Sequence, residues 1–406
     1  MFKNPLKNIG PGTLIAAAFI GPGTVTVCTL AGVQFGFELL WAMVLSIVAT
    51  IVLQEMAARL GLVGGNGLAA TVKAQIKNPI IRSLAVALII AAILVGNAAY
   101  EAGNISGGVL GLQTILESTT VSVGSFNLNY VSIIIGIIAF VLLFIGNYKV
   151  IERALVALVL LMSISFIIAA VMTNPNWLSV VKGMVSPKVP SESVLTIIAL
   201  VGTTVVPYNL FLHASLVKEK WKGANQLGAA RKDLYVSIIL GGLVSMSIII
   251  CAAAIQQTEV NNAADLAKGL VPLYGSFAKY ILSIGLFAAG ITSAITAPLA
   301  AAYVARDCFG WQGGLKSAQF RSVWILILGL GVVFSSIGFK SITIIQVAQV
   351  ANGLLLPIIA GFLVWVVNKQ TVLGSYRNSR FQNILGTIII LATVILGARS
   401  LWKVFG

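Results

Sequence analysis

Long apolar runs dominate the chain, and polar residues are mostly confined to the short stretches between them. A membrane-crossing helix needs about 20 mostly apolar residues. Eleven runs meet this requirement, and they are numbered here as spans 1 to 11: 12–37, 39–63, 83–107, 129–147, 151–173, 194–217, 234–256, 272–304, 321–338, 341–367 and 383–402. The runs are continuous rather than alternating, which excludes a porin-type barrel. The pattern predicts an all-α integral membrane protein whose residues 1–406 form a single polytopic domain.

Composition and charge support this class and add an orientation. Hydrophobic residues make up 58% of the 406 residues and charged residues 9%, whereas a soluble domain has roughly 25% charged residues. With the N-terminus in the cytoplasm, 19 of the 26 basic residues fall on the inner side and 7 on the outer side. The positive-inside rule therefore predicts a multi-pass plasma membrane protein with a cytoplasmic N-terminus and an external C-terminus. The scattered basic residues also argue against a nucleic-acid partner.

Two of the spans are interrupted near their middle. Span 1 contains GPGT at residues 21–24, and span 6 contains GTTVVPYN at residues 202–209. Proline removes an amide donor and glycine tolerates non-helical dihedrals. One such site alone is typical of a packed kink, but broken helices in matching positions of two halves indicate a transporter built from inverted repeats. We therefore predict repeat one at about 12–173, repeat two at about 194–367, an extra helix at about 383–402, and alternating access.

Several motifs resemble the Nramp family of divalent-metal transporters, over nearly the whole length. Residues 58–63 read ARLGLV, close to the family's ARLGIV, and residues 207–217 read PYNLFLHASLV, similar to its PHNLYLHSSLV. Residues 288–296 are similar to its AAG-SS-T pattern, and GPG at residues 10–12 opens span 1 as in the family. The resemblance implies a leucine-transporter-type fold, a 5+5 inverted repeat with one extra helix, and a substrate site between spans 1 and 6.

The chain departs from the family where the family binds metal. The family's DPGN is GPGT here, and its MPHN is VPYN. The carboxylate and the thioether that favours soft transition metals are both lost, so no metal ligand is assigned to any residue. A neutral cavity with two half-helix N-termini suits a small carboxylate-bearing, amino-acid-like solute, which is the preferred substrate at this point. A hydrated divalent cation of the Mg²⁺ or Mn²⁺ type and a transport-inactive sensor are the alternatives.

The candidate substrate-binding residues lie in the two interrupted segments and on span 10. Span 1 offers small residues and one hydroxyl, span 6 offers hydroxyls, an apolar wall and an amide, and span 10 offers polar residues three positions apart. They are Gly21, Gly23, Thr24, Thr203, Thr204, Val206, Tyr208, Asn209 and Gln349.

Ionisable and hydroxyl residues inside the spans are candidates for coupling to H⁺ or Na⁺. Glu101 is an acid within span 3; it is a proton carrier or a neutral hydrogen-bonded residue. His213, the only histidine, matches a span 6 histidine that the resemblance implies in the proton route; otherwise it is a packed core residue. The resemblance to leucine-transporter-type proteins also implies a Na⁺ site, the alternative being hydroxyls bonded to helix carbonyls. Its candidates are Thr292, Ser293 and Thr296.

Enzymatic activity is excluded by the chemistry that the spans lack. A single histidine and the absence of HExxH, GxSxG and DxxD patterns leave no nucleophile–base pair or metal centre at depth. No cofactor is expected. The expected partners are the transported solute or cation, the coupling H⁺ or Na⁺, and the lipid bilayer.

Overall fold

The computed structural model describes residues 20–116, 118–123, 126–146, 149–190, 192–255, 259–337 and 339–405. Apart from one short hairpin, its regular structure is helical, which confirms the predicted all-α class. Residues 12–19 of predicted span 1, together with the GPG at 10–12, lie outside the described residues.

Helices occupy the predicted spans with shifted ends. Spans 1 to 5 comprise Pro22–Phe35, Leu40–Gly64, Pro79–Leu112, Tyr130–Ile145 and Lys149–Met172. Span 6 consists of two half-helices, 6a (Val194–Thr204) and 6b (Pro207–Lys220). Spans 7 to 11 comprise Leu227–Ala253, Ala278–Phe309, Ala318–Ser336, Ser341–Val367 and Arg380–Phe405.

Short elements connect the spans. Five short helices are Leu68–Gln75, Trp177–Val185, Ala263–Ala267, Val271–Tyr274 and Gln370–Leu373, and four 3₁₀ turns are Ala224–Gln226, Lys268–Leu270, Gly275–Phe277 and Gly374–Tyr376. Between spans 3 and 4, strand β1 (Thr120–Val123) pairs antiparallel with strand β2 (Phe126–Asn129), with Thr120 opposite Asn129.

Nine helical stretches within the described residues are long and apolar enough to cross a membrane, with 6a and 6b taken together as one. Span 4 is a shorter apolar helix, and span 1 is described only from its second half. These two account for the difference from the eleven predicted spans.

At both predicted interruption sites a helix begins at a proline. The described helix of span 1 begins at Pro22, after an extended Gly21 (φ −83°, ψ 174°). Half-helix 6a ends at Thr204, Val206 is extended (φ −71°, ψ 120°), and 6b begins at Pro207. Proline is favoured at this first helical position because its missing amide hydrogen would have no helical partner there.

Small residues bring the other spans close to span 3 on two faces. A Cβ atom at Gly107 would overlap Pro22 of span 1, and one at Gly103 would touch Ala348 of span 10. On the adjacent face, Gly108 lies against Gly290 of span 8. Because one helix turn takes 3.6 residues, these contacts define two faces of span 3. The site face carries Gly96, Tyr100, Gly103 and Gly107. The rear face carries Asn97, Glu101, Asn104 and Gly108.

Candidate functional site

The interrupted segments of spans 1 and 6 meet through a pair of threonines. Thr24 Oγ1 and Thr203 Oγ1 lie 2.9 Å apart, within hydrogen-bonding distance, and both side chains are buried. The contact lies one turn into the span 1 half-helix and at the last turn of 6a. The structure thus brings together two residues that the sequence analysis assigned to the site from separate motifs.

Gln349 of span 10 completes the same region. A Cβ atom at Gly23 would overlap the side-chain amide of Gln349, and one at Gly202 would overlap its backbone carbonyl. Only glycine at these two positions allows spans 1 and 6 to approach span 10 so closely. Gly23, Gln349 and the Thr24–Thr203 pair therefore share one contact region, hereafter the three-span site.

The chain break in span 6 also changes the hydrogen bonding of the backbone. In a continuous helix, the amide at position 207 would donate to the Thr203 carbonyl, four residues earlier. Pro207 has no amide hydrogen, so the Thr203 carbonyl lacks its helical donor. The Thr203 carbonyl oxygen, without a helical amide donor, is therefore beside the Thr203 hydroxyl.

Several buried amides near the break have no hydrogen-bond partner among the described residues. The atoms without a partner are both side-chain polar atoms of Asn209, Gln349 Oε1 and Asn352 Nδ2. All three side chains are at most 2% exposed. An unsatisfied buried polar group costs about 1–3 kcal/mol. Native proteins keep few of them, so this concentration makes the region around the break a candidate binding site for a polar species.

Aromatic and apolar residues form the wall of the break. The ring of Tyr208 packs edge-on against the ring of Tyr100 from the site face of span 3, with centroids 5.4 Å apart. The hydroxyl of Tyr208 is buried without a hydrogen-bond partner in the described part of the chain. Val206 is fully buried in the apolar core. Tyr208 thus has a buried hydroxyl and Val206 a buried apolar side chain, and their roles in binding stay predictions.

Thr204 faces a different helix. Its hydroxyl donates to the Leu200 carbonyl (2.7 Å) and lies 3.7 Å from the sulfur of Met43 on span 2. The side chain is therefore turned towards span 2, whereas its neighbour Thr203 faces span 1. Within the described structure, no contact links Thr204 to the three-span site.

Glu101 lies on the rear face of span 3, with Asn97 and Asn104. Its Oε2 accepts a hydrogen bond from Asn104 Nδ2 (3.3 Å), and its Oε1 has no partner among the described atoms. Gly331 of span 9 packs directly against its side chain, which is fully buried. The carboxyl group is thus enclosed between spans 3 and 9, next to Tyr100 in sequence.

His213 lies two turns into half-helix 6b and pairs with span 2. Its Nδ1 is 2.9 Å from Gln54 Oε1. An amide oxygen is only an acceptor, so the ring Nδ1–H is the donor. His213 is buried, as is Gln54, and this pair connects the two helices near the middle of 6b.

The three hydroxyl candidates on span 8 are mostly occupied by their own helix. Thr292 donates to the Ala288 carbonyl (2.8 Å) and Thr296 to the Thr292 carbonyl (2.9 Å). Ser293 is buried. Such bonds four residues back are the ordinary behaviour of threonine within a helix, and among the described residues neither Thr292 nor Thr296 shows a hydrogen bond to span 1.

The three-span site is neutral. Among the described residues, no group of three or more His, Cys, Asp or Glu side chains is placed to hold a metal ion. Glu55 and Glu101 are the buried acids of the described chain. Glu55 is paired with Arg59 and Arg231, which leaves Glu101 as the buried acid without an ion pair.

A small polar cavity of about 220 Å³ opens at the end of span 1 that is remote from the break. Gln34 of span 1 and Gln346 of span 10 line it, together with Glu259, Asn261 and Lys340. Gln346 lies one turn before Gln349, and Asn352 one turn after it. The three amides therefore form a polar row along span 10, from this cavity to the three-span site.

Two residues of this region were not predicted from the sequence. Tyr100 forms the partner ring of Tyr208, and Gln54 is the partner of His213. Each stands directly before a buried acid within a span, Tyr100 before Glu101 and Gln54 before Glu55, and that polar pair in an apolar span is the signal that identifies it.

Comparisons with known proteins place this geometry in a family. A family model described as "Natural resistance-associated macrophage protein-like" (Nramp) matches residues 12–403. The divalent metal cation transporter MntH of Verminephrobacter eiseniae (strain EF01-2) is 26% identical, covering 98% of this chain and 89% of that protein. MntH of Klebsiella pneumoniae (strain 342) is 24% identical, covering 100% and 95%.

Solved structures show the same fold. The manganese transporter of Eremococcus coleocola superposes with a TM-score of 0.75 at 18% identity, covering 98% of this chain and 88% of that one. Mhp1, a nucleobase-cation-symport-1 family transporter, gives a TM-score of 0.58 at 15% identity, covering 98% and 93%. These findings confirm the predicted fold class and exclude an enzyme; this chain belongs to the Nramp family of membrane transporters.

Proposed function

We propose that this chain transports a divalent cation that keeps part of its water shell, by alternating access around the three-span site. The observation that carries the proposal is the set of buried, unpaired neutral oxygens at this site, those of Asn209 and Gln349. A hydrated cation presents O–H donors outward, and amide oxygens accept them. The near-full-length relatives named divalent metal cation transporters support the cation as substrate.

The chemistry of the site favours a hard ion over a soft one. Mg²⁺ dehydrates reluctantly and usually keeps several waters, bound through oxygen ligands. Soft ligands such as a thioether select transition metals. The thioether of Met43 is engaged by Thr204, on the side of 6a facing span 2, so the three-span site offers oxygens alone. We therefore propose Mg²⁺ as the preferred ion and Mn²⁺ as a weaker substrate.

The charge of the ion requires compensation nearby. Two positive charges in a low-dielectric site are costly unless a negative group is close. Glu101 is the buried acid without an ion pair among the described residues, and in the chain it follows Tyr100, which packs against Tyr208 of 6b. We propose that Glu101 loses a proton as the cation enters, which couples transport to H⁺, and that His213 lies on the proton route through 6b.

The proposed cycle uses the two halves of the chain as repeats, 12–173 and 194–367, with span 11 outside them. The polar cavity beside Gln34 and Gln346 is the proposed outer entrance, since the charge count assigns that end to the exterior. The row of Gln346, Gln349 and Asn352 then leads to the three-span site. The N-terminus is proposed to be cytoplasmic and the C-terminus external.

A carboxylate-bearing organic solute is the second candidate. The sequence analysis preferred it, but the comparisons do not support it and favour the cation. One observation speaks for it: the two half-helices begin at Pro22 and Pro207 near the break, so their positive dipole ends are available to an anionic group. Mhp1, which shares the fold, was solved with bromovinylhydantoin bound.

Uptake into proteoliposomes separates the two candidates. The protein is reconstituted and tested in parallel with Mg²⁺, Mn²⁺ and a panel of small carboxylates, each with and without an inward proton gradient. Saturable Mg²⁺ uptake that Asn209→Ala reduces and Thr204→Ala leaves unchanged supports the proposal, since Thr204 faces span 2. Uptake of a carboxylate with no response to either cation contradicts it and establishes the second candidate.

A further inference from the structure

An apolar groove of about 820 Å³ runs along the surface between the start of span 3 and the end of span 10. Ile81, Leu84 and Leu88 form one wall, with the i, i+3, i+7 spacing of a single helix face. Pro357, Gly361 and Trp365 form the other wall, at intervals of four. A Cβ atom at Gly361 would meet nothing within 4 Å, so this glycine leaves the floor of the groove open.

The groove has the depth of one lipid leaflet. From Asn78, which caps span 3, to Leu88 the wall is about 15 Å long at about 1.5 Å per residue. Half of a hydrocarbon core of about 30 Å is also about 15 Å. The side chains of Ile81 and Leu84 are 56% and 65% exposed, which indicates that the groove faces lipid tails. Trp365 marks the level of the headgroups, where tryptophan is enriched.

The charges at the mouth of the groove are all positive. Lys77 lines the mouth from the span 3 side, and the ammonium of Lys369 lies 4.8 Å from the ring centroid of Trp365 on the span 10 side. The sequence has no acid between Glu55 and Glu101 and none after Asp307. The two walls and the loop residues next to them therefore contribute basic residues and no acidic residue to the mouth of the groove.

We propose that this groove is a binding site for an anionic phospholipid. One acyl chain lies along the apolar walls, and the headgroup phosphate lies between Lys77 and Lys369. The charge count assigns this end of the molecule to the cytoplasm, where the leaflet is rich in anionic lipid and each basic residue near the surface adds attraction. The site is distinct from the three-span site and does not depend on the function proposed for it.

Quenching of Trp365 by brominated lipid tests the proposal. The full chain is reconstituted into phosphatidylcholine vesicles in which dibrominated phosphatidylglycerol or dibrominated phosphatidylcholine replaces part of the lipid. The part of the tryptophan fluorescence quenching that is lost in the Trp365→Phe variant is the signal from the groove. We expect the phosphatidylglycerol to be preferred at least five-fold, because one basic residue contributes about a five-fold preference. The double variant Lys77→Gln/Lys369→Gln should abolish the preference.

Filling the groove provides the second arm. Gly361→Phe should reduce the Trp365 quenching by both lipids, because its ring occupies the open floor. Gly329→Phe is the matched control: Gly329 also has nothing within 4 Å of an added Cβ atom, but it lies on span 9, away from the groove. Equal quenching by the two lipids in the wild-type chain would overturn the anionic site. Absence of any Trp365 signal would overturn a lipid-filled groove.

Discussion

The hydroxyls of Thr24 and Thr203, 179 positions apart in the chain, lie 2.9 Å from each other and join the two interrupted helices. Each residue stands within four residues of a proline that starts a half-helix, Pro22 and Pro207. The contact therefore couples the two segments whose movement alternating access requires. It also places two hydroxyls within the site that we propose for the hydrated cation.

Thr203→Val should weaken substrate binding, because valine keeps the shape of threonine and removes the hydroxyl. A hydrogen bond contributes about 1 kcal/mol net, so the KM for Mg²⁺ uptake should rise about five-fold. The control is Thr204→Val, whose lost hydroxyl bonded the Leu200 carbonyl. Proteoliposome uptake measures both. Equal KM values for the two variants would show that Thr203 does not contact the substrate.

Gly23→Ala should disrupt the three-span site through Gln349. The new methyl group would overlap the Gln349 amide, and overpacking of this kind costs about 1–3 kcal/mol. We expect a lower thermal midpoint in detergent and uptake reduced about ten-fold. In the double variant Gly23→Ala/Gln349→Ala, the midpoint should recover while uptake stays low, because space returns but the amide is lost.

The control for this prediction is Gly228→Ala, at a glycine whose added Cβ atom would meet nothing within 4 Å. Its midpoint should be unchanged or slightly higher, since alanine favours a helix. A double variant as unstable as Gly23→Ala alone would show that the clash does not involve Gln349.

The sequence predicted the interruptions because proline and glycine act locally. Pro22 and Pro207 remove backbone donors wherever they lie, so the breaks and the half-helix starts follow from residue type alone. The fold and the family were also predicted from motifs, and the family match over residues 12–403 confirms them.

The orientation of individual side chains was not predictable in the same way. Thr203 and Thr204 are adjacent and chemically identical, yet one faces span 1 and the other Met43 of span 2. The direction of each side chain depends on the rotation of 6a about its own axis. The close approach of Gly202 to span 10 fixes that rotation. Contacts between residues far apart in sequence fixed it, and no local pattern reveals them.

The preferred substrate class was the weakest sequence inference, for a related reason. Taken alone, the loss of the family's carboxylate at Gly21 favours a carboxylate-bearing solute over a hydrated divalent cation. The structure shows an unpaired buried acid, Glu101, on the adjacent helix, and neutral oxygens at the site itself. A single motif indicates which ligands have changed; it does not show which charges from other helices lie nearby.

Glu101→Gln should uncouple the remaining transport from protons and raise the KM for Mg²⁺, because a neutral amide neither releases a proton nor supplies the negative charge that the cation requires. Glutamine keeps the size of the side chain and still accepts from Asn104, but it cannot release a proton. We expect Mg²⁺ uptake by this variant to lose its dependence on an imposed proton gradient, measured with a pH-sensitive dye inside the vesicles. Asn104→Ala, which removes the hydrogen bond but keeps the acid, should remain coupled. Proton-driven uptake by Glu101→Gln would contradict the assigned role.

A buried ion cluster ties span 2 to span 7 and to the loop between spans 10 and 11. Glu55 accepts from Arg59 (3.1 Å) and from Arg231 (2.6 Å). Arg59 also donates to the carbonyl of Tyr376 and to Asn378. Glu55 and Arg59 are both buried, so each charge depends on the other for compensation in this low-dielectric position.

Glu55→Gln should therefore destabilise the protein strongly. Removing one partner of a buried pair leaves an uncompensated charge and costs about 3–5 kcal/mol, so the thermal midpoint in detergent should fall markedly. The matched control is Glu38→Gln, which breaks the exposed pair of Glu38 with Lys188 (2.9 Å) and should cost at most about 1 kcal/mol. A similar midpoint for the two variants would mean that water reaches the Glu55–Arg59 pair and that the cluster does not hold span 2 to span 7.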